Sequence, residues 1–315
     1  MMSRARKAWA FGILMVAGFT ALGALVIPAA AASNGQSRGE DGVARALEGA
    51  IDIHLHVDPD SAPRPIDALD VARLARSRRM RGFVLKGHYD PTAGLAFIVR
   101  KEVPDLEVFG GIDLNLTVGG INVAAVEHMT EIKGNWGRIV WMPTHDSENA
   151  VRASKQNRRF VSVARKGELL PEVKEVISVI AKRGLVLATG HSAAEEGLML
   201  IREGRRQGVQ HMVVTHPLDA PVHMTLAQMQ EAAKLGAFIE IDYRQALKLE
   251  QVEAMRKVGP ESCILAEFWS DRNTYAGLDG VAKFVSTIGS HGFTEQELAR
   301  MMKENPARLL GLPAR

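Results

Sequence analysis

Cysteine is almost missing from this chain: its 315 residues hold one, Cys263, so no intrachain disulfide can form, and a thiol inside the apolar run Cys263-Ile264-Leu265-Ala266 is expected to be buried. Net charge is also missing from the body of the sequence. Of the 39 Lys and Arg, Arg4, Arg6 and Lys7 precede residue 33 and none of the 36 Asp and Glu does, which leaves 36 of each sign beyond it. That balance removes the general electrostatic drive toward nucleic acid or an anionic membrane that a pI of 9.0 would suggest. Dinucleotide and P-loop fingerprints are absent, Val118-Gly119-Gly120 reading as no more than a tight turn, and no internal repeat occurs.

What is present begins with a leader. Three cations precede an apolar run from Ala8 to Ile27, and Ala29 to Ala32 supply small residues before Ser33, the pattern of a secretory signal over residues 1–32. The run is long enough that a retained membrane anchor is the alternative. Arg4 and Arg6 are not adjacent, so the twin-arginine pattern is not met. Export to the periplasm or medium is the expected location, with no membrane contact beyond this segment. Polar residues from Ser33 begin an expected linker, 33–48, and 49–315 are expected to form one domain.

From Ala50 onward, short apolar runs alternate with helical patterns eight times. The predicted strands are Ile51–Val57, Gly82–His88, Leu106–Leu114, Arg138–Pro143, Leu185–His191, His211–His216, Phe238–Asp242 and Cys263–Phe268. Eight such units predict an α/β fold, a (β/α)8 TIM-like barrel, here with an extra C-terminal helix. Ser192 with Glu195 and Thr294 with Glu297 have capping-box spacing, and Pro171 suits a helix start. The connection from Thr144 to Leu170 is too long for an ordinary barrel loop and is expected to form a lid, with Lys155 to Arg159 solvated.

Six of the ten histidines, His54, His56, His88, His145, His191 and His216, fall at or near the C-terminal ends of predicted strands, the end where barrels of this type build active sites. Strand alternation sends Asp52, His54 and His56 to one face and Ile51, Ile53 and Leu55 to the other. Two imidazoles so placed can share one metal ion, although a lone His-x-His also occurs on exposed edge strands. Lys86 and His88 share a face too. A lysine there is expected to pair with a carboxylate, act as an amine nucleophile, or be carboxylated into a metal ligand.

Asp52-x-His54-x-His56, His191, His216 and the closing Asn305-Pro306-Ala307-Arg308-Leu309-Leu310-Gly311-Leu312 resemble the amidohydrolase superfamily of metal-dependent hydrolases. His56-x-x-Pro59-Asp60 with Arg64, Val84-Leu85-Lys86-x-His88, Val140-Trp141-Met142-Pro143-Thr144, Thr189-Gly190-His191 and Thr215-His216-Pro217 look like a poorly characterised branch of it. The resemblance implies one or two divalent ions, zinc first and manganese or iron as alternatives. His54 and His56 would hold one, and His191 and His216 would serve a second or the substrate. Lys86 and His88 complete the candidate ligands, while Arg64 and His145 are candidates for binding substrate. Two departures stand out: Lys86 lies on strand 2, whereas the superfamily's carboxylated lysine is usually on strand 4, and the strand 8 aspartate that takes the proton from water is replaced by a choice between Glu267 and Asp271. Strand length favours Glu267, and Ser270-Asp271 resembles the superfamily's closing pair.

The expected function is that of an exported metal-dependent hydrolase, in which activated water attacks a C–N, ester or phosphoester bond of a small molecule. Glu267 or Asp271 would move the proton, and Lys86 would act at the same centre. The alternatives are a metal-dependent decarboxylase or lyase on the same barrel, and a non-catalytic exported metal- or ligand-binding barrel. A homo-oligomer is compatible with all three.

Overall fold

The computed structural model describes residues 42–242, 249–267 and 277–314. Asp271 and the leader lie outside the described residues. Eight strands pair in chain order: β1 (Ile51–Leu55), β2 (Gly82–Leu85), β3 (Glu107–Asp113), β4 (Gly137–Trp141), β5 (Val186–Ala188), β6 (His211–Val214), β7 (Phe238–Asp242) and β8 (Cys263–Ala266). Every neighbouring pair is parallel, because each strand is followed by a helix that returns the chain to the same end. The result is the (β/α)8 barrel that the apolar runs predict. Strand β7 has its predicted span, whereas the other strands stop short, so the rim histidines other than His54 sit just past the strands.

Two apolar layers hold the barrel. Inside it, Ile51, Ile53, Val84, Phe109, Ile139, Trp141, Val186, Val213 and Ile264 pack together with Ala307, Leu309 and Leu310 from the C-terminal helix Asn305–Leu309. That helix lies at the strand starts, where Arg81 donates to the carbonyl of Pro313, so it closes the floor. Outside the strands, Leu55, Leu85, Val108, Val140, Leu187, Val214, Ile241 and Leu265 pack against buried faces such as Val173, Ile177 and Ile180 of the helix Pro171–Arg183. Cys263 is buried as expected.

The simple alternation of β1 does not survive. Ile51 and Ile53 belong to the inner layer but Leu55 to the outer one, and the pairing register shifts between Asp52 and Leu55. A bulge of this kind re-aims the side chains beyond it. His54 and His56 therefore point to the rim, while Asp52 remains at the join of first and last strands. There its Oδ1 accepts the backbone N–H groups of His54 and Glu267, both at 3.0 Å.

Three further expectations need adjustment. Residues 42–47 are helical, with Val43 and Leu47 buried, so the linker ends before residue 48. The helix after β5 begins at Ala194, and Glu196 rather than Glu195 reaches back, accepting the N–H of Ala193 at 3.0 Å; the Ser192 box is displaced by one residue. The Thr294 and Glu297 box forms as predicted. The long connection contains the helix Glu148–Ala153 and a short hairpin, Ala164–Arg165 with Glu168–Leu169. Lys155 to Arg159 are exposed, but Arg158 ties this segment to the rim through Asp146 and the carbonyl of His145.

The Thr189-Gly190-His191 sequence has a steric origin. Gly190 has φ of +61°, and a Cβ there would lie 2.1 Å from the carbonyl oxygen of Met142. Thr189 and Thr215 then lace β5 to β6, Thr189 Oγ1 accepting the N–H of Thr215 at 3.1 Å and Thr215 Oγ1 that of Gly190 at 3.2 Å. Gly190→Ala is expected to destabilise the fold by at least ~2 kcal/mol, read as a lower denaturation midpoint in urea. An unchanged midpoint would show that the two strand ends relax at little cost.

Candidate metal centre

At the rim, His54, His56 and Glu267 each offer one ligand atom, and the three atoms lie within 4.8 Å of one another. His54 Nε2 is 3.2 Å from His56 Nε2, and Glu267 Oε1 is 3.4 Å and 3.6 Å from them. The other ring nitrogens are occupied. His54 Nδ1 meets Glu240 Oε1 at 2.5 Å, and His56 Nδ1 donates to the carbonyl of Lys86 at 3.0 Å. Each ring thus spends its proton on the outer shell and turns a lone pair inward. Two lone pairs and a carboxylate oxygen converging on one buried point repel one another unless a cation or a proton lies between them. Burial, with His54, Lys86 and Arg64 adding to it, holds the His56 pKa well below the usual range, so the ring is neutral and keeps its Nε2 lone pair. The donor set fits a divalent metal ion.

Two residues of the rim leave their strands through unusual backbone. Glu267 follows β8 with φ of +53°, and His216 follows β6 with φ of +22°. By strict alternation after Ala266 and Val213, which face inward, each would face out. Non-glycine residues hold such angles only where their surroundings over-determine them, which is commonest at functional sites.

His191 and His216 stand beside the group, with ring centroids 5.0 Å apart and His216 5.7 Å from His54. His88 stacks on His56 at 4.6 Å and lies 3.9 Å from His145. All six rim histidines are therefore contiguous, but of the predicted ligands His88, His191, His216 and Lys86 are not in the three-ligand set. Lys86 Nζ sits 3.4 Å from Asp113 Oδ2 and 5.3 Å from the centroid of the Trp141 ring. Of the three states open to it in the sequence, pairing with a carboxylate is the one its surroundings supply. Arg64 is buried, its Nε donating to Asp60 Oδ2 at 2.7 Å.

Residues 49–240 match a family described as "Family of unknown function (DUF6282)". The chain belongs to DUF6282. No curated protein matches this DUF6282 chain in sequence. Its barrel superposes on that of an amidohydrolase from Pseudomonas aeruginosa with a TM-score of 0.58 and 13% identity, over 85% of this chain and 97% of that one. YJJV, a TatD homologue from Escherichia coli, gives 0.57 and 13% over 86% and 100%. Agrobacterium tumefaciens ATU3138 gives 0.55 and 14% over 85% and 95%. The amidohydrolase resemblance read in the sequence is thus present as a likeness of fold.

Sequence reasoning missed Glu240 and Asp113, the buried acids behind His54 and Lys86 in the DUF6282 barrel. The signal was available: Phe238-Ile239-Glu240-Ile241-Asp242 and Ile112-Asp113-Leu114 place acids within otherwise apolar strands. Burial raises the Glu240 carboxyl to about 7 against the pull of His216 and Lys86, and raises Asp113 to about 6 against Lys86. Burial likewise lowers His56, His88, His191 and His216 below the ordinary value near 6.5.

These shifts predict the pH dependence of the metal-free fold. Histidines with lowered pKa contribute stability that is lost as pH falls through about 6.5, since the unfolded chain then binds the extra protons. The two raised carboxylates act oppositely, contributing stability in acid that disappears as pH rises through about 6 and about 7. Four histidines outweigh two carboxylates below about 6.5, so stability in chelator should drop steeply from pH 6.5 to 5. Denaturant titrations at the two pH values check this, and equal stabilities would refute it.

Proposed function

We propose that this protein is a metal-dependent hydrolase of the amidohydrolase type, acting on a C–N, ester or phosphoester bond of a small molecule. The observation that carries the reading is the pair of inward lone pairs on His54 and His56 facing the Glu267 carboxylate. A divalent ion, zinc in the first instance, supplies Lewis acidity, lowering the pKa of water toward roughly 7 and polarising the bond to be cut. His54 and His56 hold that ion, oriented by Glu240 and the Lys86 carbonyl. Glu267, its Oε1 3.4 Å and 3.6 Å from the His54 and His56 Nε2 atoms, stands at the ion without being needed to hold it, and accepts the proton of the attacking water and returns it to the leaving group. His191 and His216 serve a second ion or hydrogen-bond the substrate. Lys86, fixed by Asp113, and Arg64, fixed by Asp60, place cations by the reacting group, where developing negative charge is stabilised. The leader supports action outside the cytoplasm.

His54→Ala and His56→Ala should each lose bound metal, measured by elemental analysis of purified protein, while keeping the circular-dichroism spectrum of the fold. Full metal occupancy in both would end this reading. Across a panel of esters, amides, lactones and phosphoesters, Glu267→Gln should reduce turnover by about 10² to 10⁴ with metal retained. Wild-type turnover in that variant would remove Glu267 from the mechanism, and tight metal binding with no turnover of any panel member would favour a metal- or ligand-binding protein.

A further inference from the structure

Beside the three-ligand group lies a second set of buried polar side chains, His88, Asp113, Asn115 and Thr144, at or beyond the ends of β2, β3 and β4, of which the hydrolytic reading uses only Asp113, as the partner of Lys86. Their hydrogen bonds have a direction. Asn115 Oδ1 accepts the backbone N–H of Thr144 at 2.9 Å and of Asp146 at 3.2 Å, while its Nδ2 donates to the carbonyl of His88 at 2.7 Å. Turning the amide round would set oxygen against oxygen and nitrogen against nitrogen, so its orientation is fixed. Nδ2 therefore also donates to Thr144 Oγ1 at 2.8 Å, and that hydroxyl passes its own hydrogen to Asp113 Oδ2 at 2.9 Å.

Asp113 Oδ2 is thus the acceptor on which the wire ends, and it lies 3.2 Å from His88 Nδ1. An ionised carboxylate oxygen and a bare ring nitrogen cannot face each other at that distance without repulsion, so Nδ1 carries the hydrogen. The one charge of Asp113 already answers the buried Lys86 ammonium, 3.4 Å from the same oxygen, so a second cation on the buried His88 ring would stand unanswered, and the neutral ring has one proton to place.

We propose that Asp113 is a positioning residue that locks His88 as the Nδ1–H tautomer, so that His88 Nε2 is a fixed acceptor for a hydroxyl, amide N–H or water of the bound substrate. The same wire predicts an inversion. Without the Asp113 carboxylate, Thr144 Oγ1 still receives a hydrogen from Asn115, and the remaining acceptor for its own is His88 Nδ1, 3.1 Å away. His88 then becomes the Nε2–H tautomer, a donor where an acceptor stood.

The inference deepens the reading of the rim as an enzyme site, but its test needs no substrate and no turnover, so the two can fail separately. Histidine labelled with ¹⁵N in the full chain, with and without zinc at neutral pH, reports the tautomer directly, and His88→Gln assigns the resonance. The wild-type protein is expected to show His88 protonated at Nδ1 in both states. Asp113→Ala is expected to move the proton to Nε2, and Asp113→Ala combined with Thr144→Val to abolish that inversion. A wild-type ring protonated at Nε2 overturns the proposal outright, even if Asp113→Ala does not fold. A folded Asp113→Ala protein that retains the Nδ1–H form overturns it equally.

Discussion

One carboxylate oxygen ties the barrel to its site. Asp52 Oδ1 accepts the N–H of His54 on the first strand and of Glu267 just past the last, and among the described residues no ladder joins those two strands. A charged acceptor shared by two backbone donors is among the stronger hydrogen bonds available to a buried chain. It offsets the ~1–3 kcal/mol that a left-handed glutamate costs, and it fixes the bulge on the other side of the join. Closure of the barrel and convergence of His54, His56 and Glu267 are therefore the same event.

The site is crowded with groups that would each prefer water. Neutral histidines, a buried ammonium and carboxylates raised by burial surround one another within a few ångströms, and neighbours of opposite character make three of them tolerable. Lys86 has Asp113, Arg64 has Asp60, and His54 has Glu240. These pairings couple residues far apart in the chain, so the loss of either member leaves an unanswered group in the rim.

Much of this was legible in the sequence. The eight apolar runs gave the strands, and the placement of six histidines after them gave the rim, because both depend on composition at fixed spacing. Glu267 was favoured by strand length, and its Oε1 lies 3.4 Å and 3.6 Å from the Nε2 atoms of His54 and His56. What could not be read was orientation. Barrel strands are apolar on both faces, so an acid such as Glu240 carries no mark of the side to which it points. Face assignment by parity also failed where the backbone itself departs from regular geometry, at the β1 bulge and at the positive φ of His216 and Glu267. The state of Lys86 depended on Asp113, and the displaced cap at Ala193 on a one-residue choice between adjacent glutamates.

The floor formed by Ala307, Leu309 and Leu310 decides how traffic must run. A barrel filled by its own side chains and stoppered below is not a pipe: anything that reached the histidines would come and go by the same end. A polymer could not be threaded through it and could offer only a terminus or a loop to the rim.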